Sequence, residues 1–162
     1  MTETKIFARL KADHDRHREL LDRIDQTHGD SDDRRTLFEM FRVEVTAHAA
    51  SEEMSLYATM LARPDLRDDA QHSVAEHKEI EDYLTDLYEM DFSSTGWLAR
   101  FRTMKDRYLH HIDEEEEEMF PEAEKGLSDE KKRELAKIFE REKPKEKAKA
   151  AEEEPSSEDE RA

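Results

Sequence analysis

The chain has 162 residues, enough for one domain with a modest core; 44% are charged against 35% hydrophobic, and the formal net charge is −17. Such a surface repels nucleic acid and anionic membranes, so neither is expected as a partner. The sequence has no cysteine, which excludes disulfides, thiolate metal sites and thiol catalysis. Gly and Pro are scarce while Ala, Glu, Lys, Leu and Arg are plentiful, a composition that favours helices over strands. The opening stretch MTETKIFARLKADHD lacks the apolar run of a secretion signal, and no later stretch is long enough to span a bilayer. A cytoplasmic protein is the expectation.

Residues 3–27 read as helix 1, with Phe7, Leu10, His14, His17, Leu21 and Ile24 on one face at alternating spacings of three and four. HGDSDD at 28–33 is a turn: Gly29 can take positive φ, and Ser31 or Asp32 can cap the next helix. Helix 2 spans about 34–63 with the stripe Phe38, Phe41, Val45, His48, Glu52, Leu56, and Pro64 stops it. Asp65 is placed to cap helix 3, about 66–90, whose stripe is Ala70, Val74, His77, Ile80, Leu84, Leu87. DFSST at 91–95 is the next turn, in which Ser93 to Thr95 supply caps. Helix 4 carries Trp97, Phe101, Met104, Tyr108, His111 and Glu115 on one face and ends near Pro121. The spacing thus predicts an all-α protein, an antiparallel up-down-up-down four-helix bundle over residues 1–125. A short fifth helix follows over 126–143, capped by Ser128. Residues 144–162 hold no aromatic or large aliphatic residue and read as a disordered charged tail.

Two of the stripes turn ionisable in mid-face. His48 is followed four residues later by Glu52, and His111 by Glu115. An unpaired carboxylate is costly to bury, and the usual remedies are a partner charge or a metal. The pattern also repeats. His14 and His77, His48 and His111, and Glu52 and Glu115 are each 63 residues apart, and EExxLY at 52–57 returns as EExxMF at 115–120. The chain reads as two copies of a helical hairpin. Counted from the three turns, the four histidines fall near one level of an antiparallel bundle, given a rise of about 1.5 Å per residue. In the same register His17 falls on Ile80, His72 on Arg9 and His110 on Ala47, so these three stand outside the repeated set. Their simpler readings are packing for His17 and surface for His110, with His72 a fifth ligand only if helix 3 is distorted. Glu116 is the alternative to Glu115. Tyr108, one turn above His111, reads as core packing or cavity lining.

Four imidazoles and two carboxylates suit iron, manganese or zinc. A ferritin-type site would use E-x-x-H pairs, and none is present. HDRH in helix 1, HAASEEMSLY in helix 2, AEHKEIEDYL in helix 3 and HHIDEEEEEMFP in helix 4 resemble the hemerythrin-like HHE cation-binding domain family over residues 5–122. The resemblance implies a four-helix bundle with a non-haem di-iron centre, two iron ions with a bridging oxo or hydroxo. Carried over by position, it implies His14, His48, Glu52, His77, His111 and Glu115 as metal ligands. Oxygen-carrying members have a second histidine four residues before the helix 3 ligand, where this chain has Ser73. The six-ligand set is more similar to di-iron proteins implicated in iron–sulfur cluster repair, which carry a cysteine-containing N-terminal domain. The expected role is binding of a small ligand such as O₂, peroxide or NO for sensing, storage or stress protection. Turnover of peroxide or NO, or iron donation in cluster repair, is the alternative. The residues name no protein partner and do not separate binding from enzymatic turnover.

Overall fold

Helices with one apolar stripe each, joined by short turns, bury those stripes by packing antiparallel. The computed structural model, which describes residues 4–153, has this form: α1 (Ile6–Asp25), α2 (Asp32–Glu52), α4 (Arg67–Glu89) and α5 (Thr95–Glu114) make the bundle. Three serines start helices as the sequence indicates. The hydroxyls of Ser31, Ser94 and Ser128 accept from the backbone N–H groups of Arg34, Trp97 and Lys131 at 3.0–3.1 Å. Gly29 sits at φ 57 in the first turn. Asp65 does not cap α4; its carboxylate pairs with Arg63, and Leu66 precedes the helix without a side-chain cap.

Two of the bundle helices are not plain α-helices. After α2 the chain passes through a π turn, Glu53–Tyr57, into α3 (Ala58–Leu61). After α5 it passes through a second, Glu115–Met119, into α6 (Phe120–Gly126). The reason is in the spacing of the buried residues. His48, Glu52, Leu56 and Met60 all point inward, as do His111, Glu115, Met119 and Ala123. At 100° per residue each step of four overshoots a full turn by about 40°, and the wider π turn absorbs the accumulated drift. This also corrects the expected end of helix 4. Pro121 falls in the first turn of α6, directly after the π turn, and the rod continues past it to Gly126.

The C-terminal region departs further from expectation. α7 (Asp129–Glu152) does not stop at residue 143 but runs on through Pro144. Composition suggested nothing to bury beyond that point, yet the anchors are ionic and backbone groups. Lys143 is buried, with Nζ 2.8 Å from Asp13 Oδ2 and 3.0 Å from Glu44 Oε2. Lys147 reaches Glu44 at 2.7 Å, and Arg42 donates to the carbonyl of the buried Ala150 at 3.1 Å. These contacts lay α7 along α2 and α1 and override the proline. Residues 154–162 of the expected tail lie outside the described residues.

The apolar core is in two parts. One cluster holds Leu21, Phe38, Phe41, Leu84, Trp97 and Phe101; the other holds Leu10, Tyr57, Met60, Met119, Phe120 and Phe139. Between them lies a belt of buried ionisable groups: His14, His48, Glu52, His111 and Glu115.

Candidate metal centre

The belt places all six sequence-predicted residues around one centre. His14 and His48, from α1 and α2, form one imidazole pair with ring centroids 5.2 Å apart. His77 and His111, from α4 and α5, form the other at 5.0 Å. The two glutamates lie between the pairs. Glu52 Oε1 is 3.6 Å from His48 Nε2 and 3.2 Å from His77 Nε2. Glu115 Oε1 is 2.8 Å from His111 Nε2 and 3.9 Å from His14 Nε2. Each carboxylate therefore faces one imidazole of each pair. Among the described residues, His14 with His48 and Glu52, and His77 with His111 and Glu115, group closely enough to hold an ion apiece.

The outward nitrogen of every imidazole is held by a carboxylate. His48 Nδ1 lies 2.8 Å from Asp13 Oδ2, His14 Nδ1 2.7 Å from Glu116 Oε2, His77 Nδ1 2.9 Å from Glu53 Oε2 and His111 Nδ1 2.8 Å from Glu76 Oε1. An Nδ1–H donated to a carboxylate leaves the Nε2 lone pair free and aims it inward. Asp13 and Glu76 are 63 residues apart, as are Glu53 and Glu116, so the outer carboxylates obey the same internal repeat as the inner residues. Sequence reasoning missed Asp13, Glu53 and Glu76, although the repeat register carries them. It offered Glu116 as an alternative to Glu115; the structure puts Glu115 inside and Glu116 outside. The inward atoms are short of partners: His14 Nε2, His48 Nε2 and both Glu52 oxygens are buried without a hydrogen bond. Polar atoms so buried cost stability unless something satisfies them, and this donor set fits cations.

The hemerythrin HHE cation binding domain family model matches residues 5–123. The chain belongs to that family. A crystal structure of a hemerythrin HHE cation binding domain-containing protein from Mycobacterium kansasii is similar in fold, with 23% identity, a TM-score of 0.79, and 90% of this chain and 89% of that chain covered. No curated protein matches the sequence.

In this HHE domain the inner groups polarise one another. Burial and the neighbouring Glu115 charge push the Glu52 carboxyl well above its ordinary value. Burial acts the same way on Glu115, but the charge and hydrogen bond of His111 outweigh it and hold Glu115 well below. His111 is raised to about 9, because Glu115 and Glu76 overcome the cost of burying its charge. His48 goes the other way, to about 4, since burial outweighs its bond to Asp13. Tyr57, noted in the sequence only as the end of the repeated EExxLY segment, donates to Glu115 Oε2 at 2.8 Å. The repeat puts Phe120 in its place opposite, so Glu52 has no such hydroxyl.

The remaining histidines of the HHE domain lie off the centre. His17 is buried; its Nδ1 is hydrogen-bonded to Tyr108 OH at 2.7 Å, and its Nε2 has no partner. It groups with Asp13 and His48 on the outer side of that pair. His72 and His110 are exposed and face Glu114, and Ser73 donates to Met119 Sδ. The repeat substitutes Ile80 and Val45 for His17 and Tyr108, and there the packing is open. A cavity of about 800 Å³ runs between α2 and α4, walled by Val45, Ala49, Ile80 and Leu84 and reaching His48, His77 and Tyr108. Its mouth is lined by Arg42, Glu53, Lys78 and Glu81, and it reaches the edge of the centre at His48 and His77. Among the described residues no helix is long and apolar enough to cross a membrane.

Proposed function

We propose that the chain binds two metal ions, with His14 and His48 on one, His77 and His111 on the other, and Glu52 and Glu115 bridging. Iron is favoured over manganese or zinc, and the bound pair serves to take up O₂, peroxide or NO for sensing, storage or stress protection. The observation that carries this reading is the position of the two glutamates, each facing one imidazole of each pair. A carboxylate that merely satisfied a core histidine would need only one partner. Imidazole and carboxylate suit all three metals, and iron is the one whose redox chemistry matches these small ligands. Two octahedral ions offer about twelve positions, more than six side chains fill, so room remains for a small ligand.

When bound, the ions would supply an electrophilic, redox-active site. The protein's own residues do the rest. The outer carboxylates fix each imidazole in the tautomer that ligates. The cavity gives small molecules access to His48 and His77 between walls of Val45, Ala49, Ile80 and Leu84. Tyr57 and Tyr108 remain protonated because burial and the nearby Glu115 charge raise both hydroxyls well above their ordinary value. Those two neutral hydroxyls, placed to donate hydrogen bonds near the centre, favour a second reading: turnover of peroxide or NO with electrons from an external reductant. Metal analysis with an optical spectrum of aerobically purified protein tests the first reading. Two irons per chain with a charge-transfer band are expected; a colourless, metal-free, fully helical protein would leave only a structural bundle. Multiple-turnover loss of peroxide or NO in the presence of a supplied chemical reductant separates turnover from binding.

A further inference from the structure

The inner residues and their outer carboxylates follow the 63-residue repeat, but the cations around them do not. Asp13 Oδ2, the oxygen that meets His48, also accepts from Lys143 Nζ at 2.8 Å, and Arg9 bonds the other Asp13 oxygen. Glu116 Oε2, the oxygen that meets His14, also accepts from Arg18 Nη2 at 2.9 Å. In the other half, no Lys or Arg among the described residues lies within ion-pair distance of Glu53 or Glu76. The repeat places His72 where the first half has Arg9, and Glu81 where it has Arg18. Lys143 has no counterpart, because α7 occurs once.

A carboxylate holding a metal-bound imidazole by its Nδ1–H pushes electron density toward Nε2 and strengthens the ligand. An ammonium or guanidinium on the same carboxylate draws that density away. The cation also repels a metal ion through space, and burial leaves little water to screen it. Lys143 is buried, and Arg9 and Arg18 are mostly covered. Both effects have one sign: they weaken the His14–His48 position relative to the His77–His111 position. We propose that the two metal positions are unequal by construction, the His77–His111 position taking the first and more tightly held ion, with Lys143 of α7 and Arg18 of α1 as positioning residues that hold the second position weak. This rests on the two-ion reading above. It gives α7 an electrostatic role at a centre where its Phe139 already packs edge-on against His48.

The test is titration of the metal-free full chain with Co²⁺ at pH 8, followed by calorimetry and by cobalt absorption. Two phases are expected, with affinities differing by about tenfold or more, the scale of outer-partner effects on metal sites. His77→Ala should lose the tight phase and keep the weak one, and His14→Ala should do the reverse. Lys143→Met keeps the side-chain stem and removes the charge; it should tighten the weak phase several-fold, leave the tight phase in place and shift the cobalt spectrum of the second ion. Lys143→Arg should restore both. Should Lys143→Met fail to fold, as judged by helicity, Arg18→Met offers the same prediction at a part-exposed position. Two equal phases, a tight phase lost with His14 instead of His77, or a weak phase untouched by both charge removals would overturn the proposal. Uptake of one cobalt or none by the unaltered chain would instead show that the two-ion reading has failed.

Discussion

Glu52 and Glu115 occupy equivalent places in the repeat, yet the fold holds them in opposite states. Glu52 is driven toward the protonated form by burial and by the Glu115 charge. Glu115 is kept ionised, against burial, by His111 Nε2 at 2.8 Å, and Tyr57 donates to its other oxygen. Burial and the neighbouring charges thus bias the two carboxylates in opposite directions, and cations bound among them would compete with protons for the same atoms.

The first prediction follows from that bias. His111 is raised to about 9, so its contribution is full below about pH 6.5 and is lost as pH rises through 9. Glu52, also raised, adds a loss in the same direction once pH exceeds the unfolded value of a carboxyl. Metal-free protein should therefore melt at progressively lower temperature from pH 6.5 to 9. Metal binding releases protons, so the gap between metal-loaded and metal-free melting should widen over the same range. Melting curves of chelated and loaded samples check this; a gap that narrows with pH contradicts it.

Bridging and outer carboxylates should respond differently to removal. Glu52→Ala or Glu115→Ala should abolish binding of the metal pair, whereas Glu116→Ala should weaken it by about 10- to 100-fold without abolishing it. His72→Ala should do nothing measurable to metal content, because its ring is exposed and faces Glu114. Metal stoichiometry after dialysis against a weak chelator gives the order. Glu116→Ala emptying the site while Glu115→Ala spares it would reverse the inside and outside assignments.

Truncation locates the end of the functional chain. A chain ending at Glu153 should keep helicity and metal content. One ending at Glu142 removes Lys143 and takes its ammonium from the buried Asp13 and the part-buried Glu44, which should cost about 3–5 kcal/mol. Urea unfolding of the two truncations measures the difference. Equal midpoints would mean that the contacts of α7 beyond residue 142 contribute nothing.

The cavity can be closed without touching the belt. Ala49 lines it between α2 and α4, and Ala49→Trp would fill part of the passage. Metal content should be retained, while the observed rate of NO or peroxide binding to reduced, iron-loaded protein should fall several-fold in stopped-flow traces. An unchanged rate would point to entry elsewhere, such as the smaller crevice beside Ser73 and Glu118.

Much of this protein is legible in its sequence, because helical periodicity and the 63-residue repeat are local or self-referential signals. They place four histidines and two glutamates on inward faces, and the turn chemistry of Ser31, Ser94 and Ser128 marks three helix starts. Even the π turns leave a trace, in the uninterrupted spacings of four from His48 to Met60 and from His111 to Ala123. What only the tertiary structure decides is how neighbouring helices are rotated against one another. That rotation puts Glu115 inside and Glu116 outside, although the two are adjacent in the chain. It brings Asp13 to His48 and Glu76 to His111 across 35 residues, and Glu116 to His14 across 102. It also carries α7 past Pro144, since the ion pairs of Lys143 lie with residues on α1 and α2 that its own local sequence does not indicate. Periodicity reports which face of a helix is buried; the partner across the interface is set by packing between helices, and that is where the charge balance of the centre is determined.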